Sequence, residues 1–383
     1  MEQRLHIGDD GWEALSAYLG EIAAGSVLLV TGRGMFTASG AEAALVPALE
    51  GKRVRRVCEF ETNPKAEDVD RILGELSADD PYDVIVAIGG GSVMDVGKLL
   101  KAFWGAEHPV ASYLRGEQAM CPASVPLVAI PSTAGSGSES THFAVAYDGK
   151  TKYSVADAAL LPEFAIVIPA LLESVPRHVA AASGLDALCQ GIESYWSIHS
   201  SEASRALAGE AITLAWASLD AAVNRCEPDA LAQIARASNL AGQAINFTKT
   251  TAPHAVSYPF ASFYGVQHGH AVGLLLPGFM KFNAGVTEED TLDGRGAAWV
   301  QERLAEIAGL MGCDSPDAAA GEIRQLTKQL GLETDFAKLG IIGEAGLEVI
   351  VANGFNPQRV NNNPRRVTES HLCDLLHELA ELD

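Results

Sequence analysis

Asp83-Val-Ile-Val-Ala-Ile-Gly-Gly-Gly-Ser92 is the stretch whose pattern decides the fold. Its apolar, β-branched run reads as a buried strand. The three glycines that follow let the backbone turn sharply and come close to a ligand. Ser92 is a good N-cap, so a helix is expected to open there and to offer free N–H groups to an anion. Strand, glycine turn and helix in that order make a pyrophosphate cradle, although the order differs from the usual GxGxxG fingerprint. Alone, the same pattern serves equally as a plain strand-to-helix connection. A second loop of this character, Pro131-Ser-Thr-Ala-Gly-Ser-Gly-Ser-Glu139, follows the next apolar run. Two such loops after consecutive strands fall where open α/β sheets bind nucleotides, at the carboxyl edge.

Working outward, Val27–Val30, Val54–Val57, Val84–Ile88, Leu127–Ile130 and Ile166–Ile168 read as buried strands, with helical patterns at Glu67–Leu76 and Val93–Phe103 between them. That alternation implies a parallel sheet with helices on both faces. Beyond about Pro176 strand-like runs become scarce. Ala- and Leu-rich segments take over at Ala203–Val223, Ala230–Asn246, Ala297–Met311 and Pro316–Leu330, and these favour helix. The expected organisation is a Rossmann-like α/β dinucleotide-binding domain over residues 1–172 and an all-α metal- and substrate-binding domain over 173–383. No internal repeat interrupts either half.

With 48% hydrophobic and 20% charged residues, the 383-residue chain reads as a soluble globular protein of enzyme size with a sizeable core, not a disordered one. Its net charge of −22 argues against nucleic acid or an anionic membrane as partner. Any anionic substrate must then be held by a local basic or helix-terminal site against the mean field. No stretch reads as apolar for long enough to span a bilayer, and Met1-Glu-Gln-Arg-Leu5 lacks a signal peptide's apolar core. Six scattered cysteines without a CxxC pair fit a reduced, cytoplasmic chain. A homodimer is the default expectation for such an enzyme.

A second constellation carries the chemistry. Asp186 and Gln190 lie four residues apart in the helical pattern from Arg177 to Trp196, so both point to one side. With His254 and His268-Gly-His270 they form a mixed oxygen and nitrogen set suited to Fe²⁺, Zn²⁺ or Mn²⁺. Periodicity does not say whether these segments converge, and each residue alone is more often a solvated or packed group.

Together, Gly89-Gly-Gly-Ser-Val-Met-Asp-Val-Gly-Lys98, Pro131–Glu139, Gly184-Leu-Asp-Ala-Leu188, and His254 with His268 resemble the iron-containing (group III) alcohol dehydrogenases over nearly the whole length. The resemblance implies the dehydroquinate-synthase-like architecture, an α/β dinucleotide domain followed by a helical domain, with metal and nicotinamide meeting in the cleft. It places Gly89, Gly90, Gly91, Ser92, Asp95, Ser132, Thr133 and Ser136 along the cofactor, with Lys152 nearby, and makes Asp186, His254 and His268 ligands of Fe²⁺ or Zn²⁺. Two positions depart from the family pattern. Gln190 stands where the family has a histidine, and an amide oxygen is a weaker, harder ligand. Tyr258 stands where another histidine is common, so Tyr258 and His270 compete as proton donor. Where NAD-preferring relatives carry an acidic residue after the strand Val27–Val30, this chain has Gly32. That removes repulsion of a 2′-phosphate, and Arg33 could pair with one, so NADP(H) is accepted beside NAD(H).

Within the family, Glu193-Ser-Tyr-Trp196, Lys249-Thr-Thr-Ala-Pro-His254, Tyr258-Pro-Phe260, His268-Gly-His270 and Asn361-Asn-Asn-Pro-Arg365 resemble the phosphonoacetaldehyde reductases of phosphonate biosynthesis. The implied reaction is reduction of phosphonoacetaldehyde to 2-hydroxyethylphosphonate. Lys249, just before His254, would meet the phosphonate, with Arg365 or Arg366 as a second anion clamp. A general alcohol dehydrogenase acting on uncharged short-chain aldehydes, a dehydroquinate-synthase-like cyclase and a metal-free inactive relative stand as alternatives.

Overall fold

The computed structural model describes residues 3–76, 82–149, 151–356 and 360–381. They divide into two compact units. The first comprises Met1–Thr133 and Gly137–Val175, the second Ala134–Ser136 and Pro176–Asp383. The chain thus passes from one unit to the other at Val175 and Pro176, and part of the second glycine-rich loop belongs with the helical unit.

The first unit runs β1 (Arg4–Ile7), α1 (Gly11–Glu21), β2 (Ser26–Thr31), α2 (Met35–Ala38), α3 (Ala41–Leu49), β3 (Arg53–Val57), α4 (Ala66–Glu75), β4 (Val84–Gly89), α5 (Gly91–Phe103), α6 (Val110–Leu114), β5 (Leu127–Pro131), β6 (Phe143–Asp148), β7 (Thr151–Ala156) and β8 (Phe164–Val167). Six of its strands form one sheet in the order β1-β8-β5-β4-β2-β3, every pairing parallel. Strands β2, β4 and β5 are buried along their whole length, as continuous Val/Ile/Leu runs covered on both faces must be. Two apolar clusters sandwich them, one around Leu99 and Leu100 of α5, the other around Leu15 and Leu19 of α1.

Val54–Val57, expected as a buried strand, forms the edge strand β3, with Val54 39% exposed. Its arginines suit an edge, where charge blocks further pairing. The antiparallel hairpin β6–β7 was not foreseen. Its residues alternate in burial, the period of a half-covered strand, but Ser, Thr, Lys and Asp dilute the hydrophobic signal.

The second unit is helical: α7 (Arg177–Trp196), α8 (Glu202–Arg225), α9 (Pro228–Thr248), α10 (Ala252–Tyr264), α11 (His268–Ala284), α12 (Ala297–Leu310), α13 (Pro316–Gln329), α14 (Gly343–Gly354) and a last helix over Glu369–Glu381. Helix α8 is long and apolar enough to cross a membrane by length and composition, contrary to the sequence expectation. In this unit it packs along α7 and α9, with Ala208, Ala211, Ile212, Ala215 and Leu219 buried. Helix α7 is buried on nearly every side from Ala181 onward, the pattern of a central core helix. Its buried polar residues, Asp186, Gln190 and Glu193, are therefore unusual and need partners.

Candidate active site

In the first unit three loops leave neighbouring strands at their carboxyl ends. The parallel register sets Gly89 beside Pro131 and Ile88 beside Thr31, so Gly32–Arg33, Gly89–Ser92 and Ser132–Thr133 leave the same sheet edge. The amide of Ser132 donates to the Gly89 carbonyl at 2.8 Å, tying two of the loops together. Glycine is required at 89, where a Cβ would lie 2.7 Å from Cβ of Val93, and at 90 a Cβ would come within 3.4 Å of Thr133 Oγ1. The N-cap of α5 is Gly90, not Ser92: Gly90 is extended, and its carbonyl accepts from Val93 and Met94. Gly91 begins the helix. The Ser92 hydroxyl instead accepts from the Asn63 amide at 3.2 Å, which secures the loop after β3. The N-terminal end of α5 is thus bare glycine backbone, open to close approach.

Below that loop, Lys98 is fully buried. Its Nζ donates to Ser138 O at 2.6 Å, Thr141 Oγ1 at 2.8 Å and Phe143 O at 2.9 Å, pinning the chain after the second loop to α5. Burial raises the Asp95 carboxyl, against the attraction of Lys98 and Lys152, which sets Lys152, on β7, electrostatically beside Asp95. Arg33 is exposed and paired with Glu59 at 3.0 Å. The open space at Gly32 therefore has a carboxylate as well as a guanidinium beside it. Ser136 falls in the second unit.

In the second unit, Asp186, His254 and His268 place one ligand atom each within 4.8 Å of one another. Three separate helices supply them. His254 sits in the first turn of α10, behind the Thr251 cap, and His268 is the first residue of α11. Gly269 lets α11 approach α7: a Cβ there would lie 2.6 Å from Asp186 Cβ and collide with the Ala182 carbonyl. Gly273, one turn on, faces Leu185 in the same way. The His254 and His268 rings meet edge to face at 5.2 Å, and the Tyr258 ring stacks on His268 at 5.9 Å and 4°.

Whether this cluster fits a divalent ion is tested by Gln190. Its Nε2 donates to Asp186 Oδ2 at 3.2 Å, which orients the amide. Its Oε1 is buried and has no hydrogen-bond partner among the described residues. An orphaned buried acceptor costs about 1–3 kcal/mol, a cost removed if that oxygen is a ligand. With this oxygen added, the two imidazoles and the carboxylate would make a donor set suited to Fe²⁺ or Zn²⁺.

The charges of the cluster act strongly on one another. Burial opposes the charge on His254, but Glu193 and Asp186 outweigh it and raise its pKa from 6.5 to about 10. Burial would likewise raise Asp186, yet hydrogen bonds from His254 and Gln190 and the charge of His268 hold it below its ordinary value. The stabilisation at His254 is complete below about pH 6.5 and is lost as pH rises through about 10. A metal must displace that proton. Loading metal-free protein with Zn²⁺ is therefore expected to release about one proton near neutral pH, with affinity rising as pH rises. Calorimetry in buffers of different ionisation heat measures this, and no release would mean that the ion binds without displacing the His254 proton.

Other expected site residues are dispersed. His270 points elsewhere on α11: its Nε2 meets the Glu333 carbonyl at 2.7 Å, and it lines a cavity of about 360 Å³ with His178, Gln267 and Lys338. Burial lowers its pKa. Lys249 is exposed and has φ 56 and ψ 178. Arg365 is not a free clamp: it binds Asp290 at 2.7 Å and the Phe282 carbonyl at 2.7 Å, so its charge is already satisfied. Sequence reading assigned no role to Glu193, although it stands seven residues after Asp186, a spacing that was available as a signal.

Comparison with known proteins gives concordant results. The family model for iron-containing alcohol dehydrogenases matches residues 2–169, and that for the C-terminal part of the Fe-containing alcohol dehydrogenase family matches 180–380. The chain is 36% identical over 311 residues to a phosphonoacetaldehyde reductase of Streptomyces viridochromogenes, covering 79% of this chain and 77% of that one. It is 30% identical over 317 residues to long-chain-alcohol dehydrogenase 1 of Geobacillus thermodenitrificans, covering 81% and 78%. Among solved structures, a sulfoacetaldehyde reductase from Bifidobacterium kashiwanohense in complex with NAD⁺ superposes with a TM-score of 0.89 at 29% identity, covering 100% of this chain and 98% of that one.

Proposed function

The chain belongs to the iron-containing alcohol dehydrogenase family, and from that premise we propose that it reduces a small anionic aldehyde, phosphonoacetaldehyde, to 2-hydroxyethylphosphonate. The donor is NADPH or NADH, and one proton is taken up for each hydride transferred.

The observation that carries the substrate class is the conformation of Lys249. A non-glycine residue at φ 56 and ψ 178 occupies a region reserved for glycine and costs about 1–3 kcal/mol. The turn is held in place from several sides. Thr248 Oγ1 donates to the Lys249 carbonyl at 3.0 Å, Ser197 Oγ to the Thr248 carbonyl at 3.1 Å, and Asn362 Nδ2 to the Thr250 carbonyl at 3.1 Å. Among the described residues the Lys249 ammonium has no hydrogen bond or ion pair. A strained, unpaired cation five residues before His254, in a chain of net charge −22, suits an anionic substrate group. The phosphonoacetaldehyde and sulfoacetaldehyde reductases among its relatives are named for small anionic aldehydes.

Asp186, Gln190, His254 and His268 would hold a divalent ion, and the N–H groups at Gly91 and Ser92 would hold the dinucleotide's pyrophosphate. When bound, the ion supplies Lewis acidity and the nicotinamide supplies hydride. Lys249 holds the phosphonate and so orients the aldehyde. Tyr258, stacked on His268, is better placed than His270 to return a proton to the nascent alcohol. Tyr258→Phe is expected to lower kcat by about 10²-fold, at the low end of general-acid contributions, with a smaller effect of His270→Gln. Equal effects in a steady-state assay would remove Tyr258 from this role.

The reading is tested by following NADPH and NADH oxidation with phosphonoacetaldehyde and with an uncharged aldehyde of similar size. A strong preference for the phosphonate is expected. Lys249→Gly should abolish that preference while raising Tm, because glycine relieves the strained backbone. Equal rates on both aldehydes would leave a general aldehyde reductase, and turnover without net cofactor oxidation would favour a cyclase.

A further inference from the structure

The side chain that organises this centre is one to which the proposed reaction assigns no part. Glu193 lies on the same face of α7 as Asp186 and Gln190, three residues beyond Gln190, and is fully buried. Among the described residues no lysine or arginine pairs with it; its partners are His254 and Thr251. One carboxylate oxygen accepts from His254 Nδ1. The other accepts from the Thr251 amide at 2.6 Å and the Thr251 hydroxyl at 2.9 Å. That hydroxyl in turn accepts from Trp196 Nε1 at 2.9 Å.

An ionised carboxylate can only accept. Nδ1 of His254 must therefore carry a proton, and Nε2 is the nitrogen that faces Asp186, at 3.2 Å. We propose that Glu193 is a positioning residue: it fixes His254 in the form that keeps hydrogen on Nδ1 and presents Nε2 to the divalent ion. The same carboxylate anchors the first turn of α10 through Thr251, directly after the Lys249 turn. One buried group thus sets both the metal ligand and the backbone from which the substrate-facing lysine projects. The proposal rests on the metal reading of the Asp186–His254–His268 cluster.

Glu193→Gln tests it sharply, because the variant keeps size and shape. A glutamine has one accepting oxygen where the site needs two. If that oxygen serves Thr251, the NH₂ meets Nδ1 of His254 and drives the proton to Nε2, blocking the metal. If it serves His254, the NH₂ faces the Thr251 amide and two donors collide. Either way metal affinity is expected to fall about 10–100-fold, the usual effect of losing a partner behind a metal-bound histidine. Affinity would be read by Zn²⁺ competition with a chromogenic chelator, and folding by circular dichroism and Tm. Glu193→Asp should recover part of the affinity.

A lower Tm with unchanged Zn²⁺ affinity would overturn the proposal in favour of a merely structural role. Should the variant not fold, ¹⁵N NMR of the Zn²⁺-loaded wild type decides. A protonated Nδ1 and metal-shifted Nε2 at His254 support the assignment, and the reverse pattern overturns it. If the wild type binds no Zn²⁺ at all, the metal reading falls and this role falls with it. Wild-type binding that Glu193→Gln leaves intact would remove this role alone.

Discussion

Asp186→Asn is expected to yield a folded protein that retains no divalent ion and whose kcat/KM falls by at least about 10²–10³-fold, the effect of removing one group that stabilises developing charge. Asparagine matches aspartate in size, so packing on α7 is kept. What disappears is the buried negative charge on which His254 and the Gln190 amide converge. Without it the remaining donors are two imidazoles and an amide oxygen, a neutral set with little attraction for a dication in a buried site. His254 would keep its Glu193 partner, so the fold should tolerate the change better than the metal does. Elemental analysis of the purified variant beside steady-state rates makes the check. Stoichiometric metal with undiminished turnover would place the ion elsewhere.

Gly269→Ala is the second large effect, and its sign is diagnostic. Alanine is the better helix former by about 1 kcal/mol, so propensity predicts a more stable protein. Packing predicts the opposite. The new Cβ would sit 2.6 Å from Asp186 Cβ and against the Ala182 carbonyl, and backbone cannot rotate away as a side chain can. Overpacking of this kind costs about 1–3 kcal/mol. It also pushes α11 off α7, displacing His268 from Asp186. A misplacement of about 1 Å at a reacting centre costs on the order of 10² in rate. A fall in Tm together with loss of bound metal is the expected result; a raised Tm with metal retained would show that the two helices are not held at this distance.

Much of the first unit was legible because its determinants are local. Val27–Val30, Val84–Ile88 and Leu127–Ile130 are runs too apolar for anything but a central strand, and the glycine turns between strand and helix carry their own geometry. The errors there were at the margins. Gly90 replaced Ser92 as the cap because the extended glycine carbonyl already closes the first turn of α5. The edge position of β3 and the β6–β7 hairpin depend on partners far along the chain.

For the metal centre the sequence supplied the residue types and the resemblance supplied their grouping. Nothing in the spacing from Asp186 to His254 and His268 says that α7, α10 and α11 converge. Helical period tells which side chains share a face but not which faces meet. Glu193 illustrates the limit: its place on the Asp186 face could be read from the chain, but its contact with His254 spans 61 residues. The strain at Lys249 and the internal pairing of Arg365 were equally invisible, since a φ value and a satisfied guanidinium are properties of packing.

By itself, then, the sequence determined the α/β and helical halves, the nucleotide-type loops and the chemical nature of the donors, because each follows from local periodicity, glycine content and side-chain chemistry. Only the tertiary structure decided which donors meet, which oxygen is left unpaired at Gln190 and which carboxylate orients His254. Those outcomes are set by how closely two helices can approach, and that distance is fixed by Gly269 of α11 against the backbone of α7 and Gly273 against the Leu185 side chain.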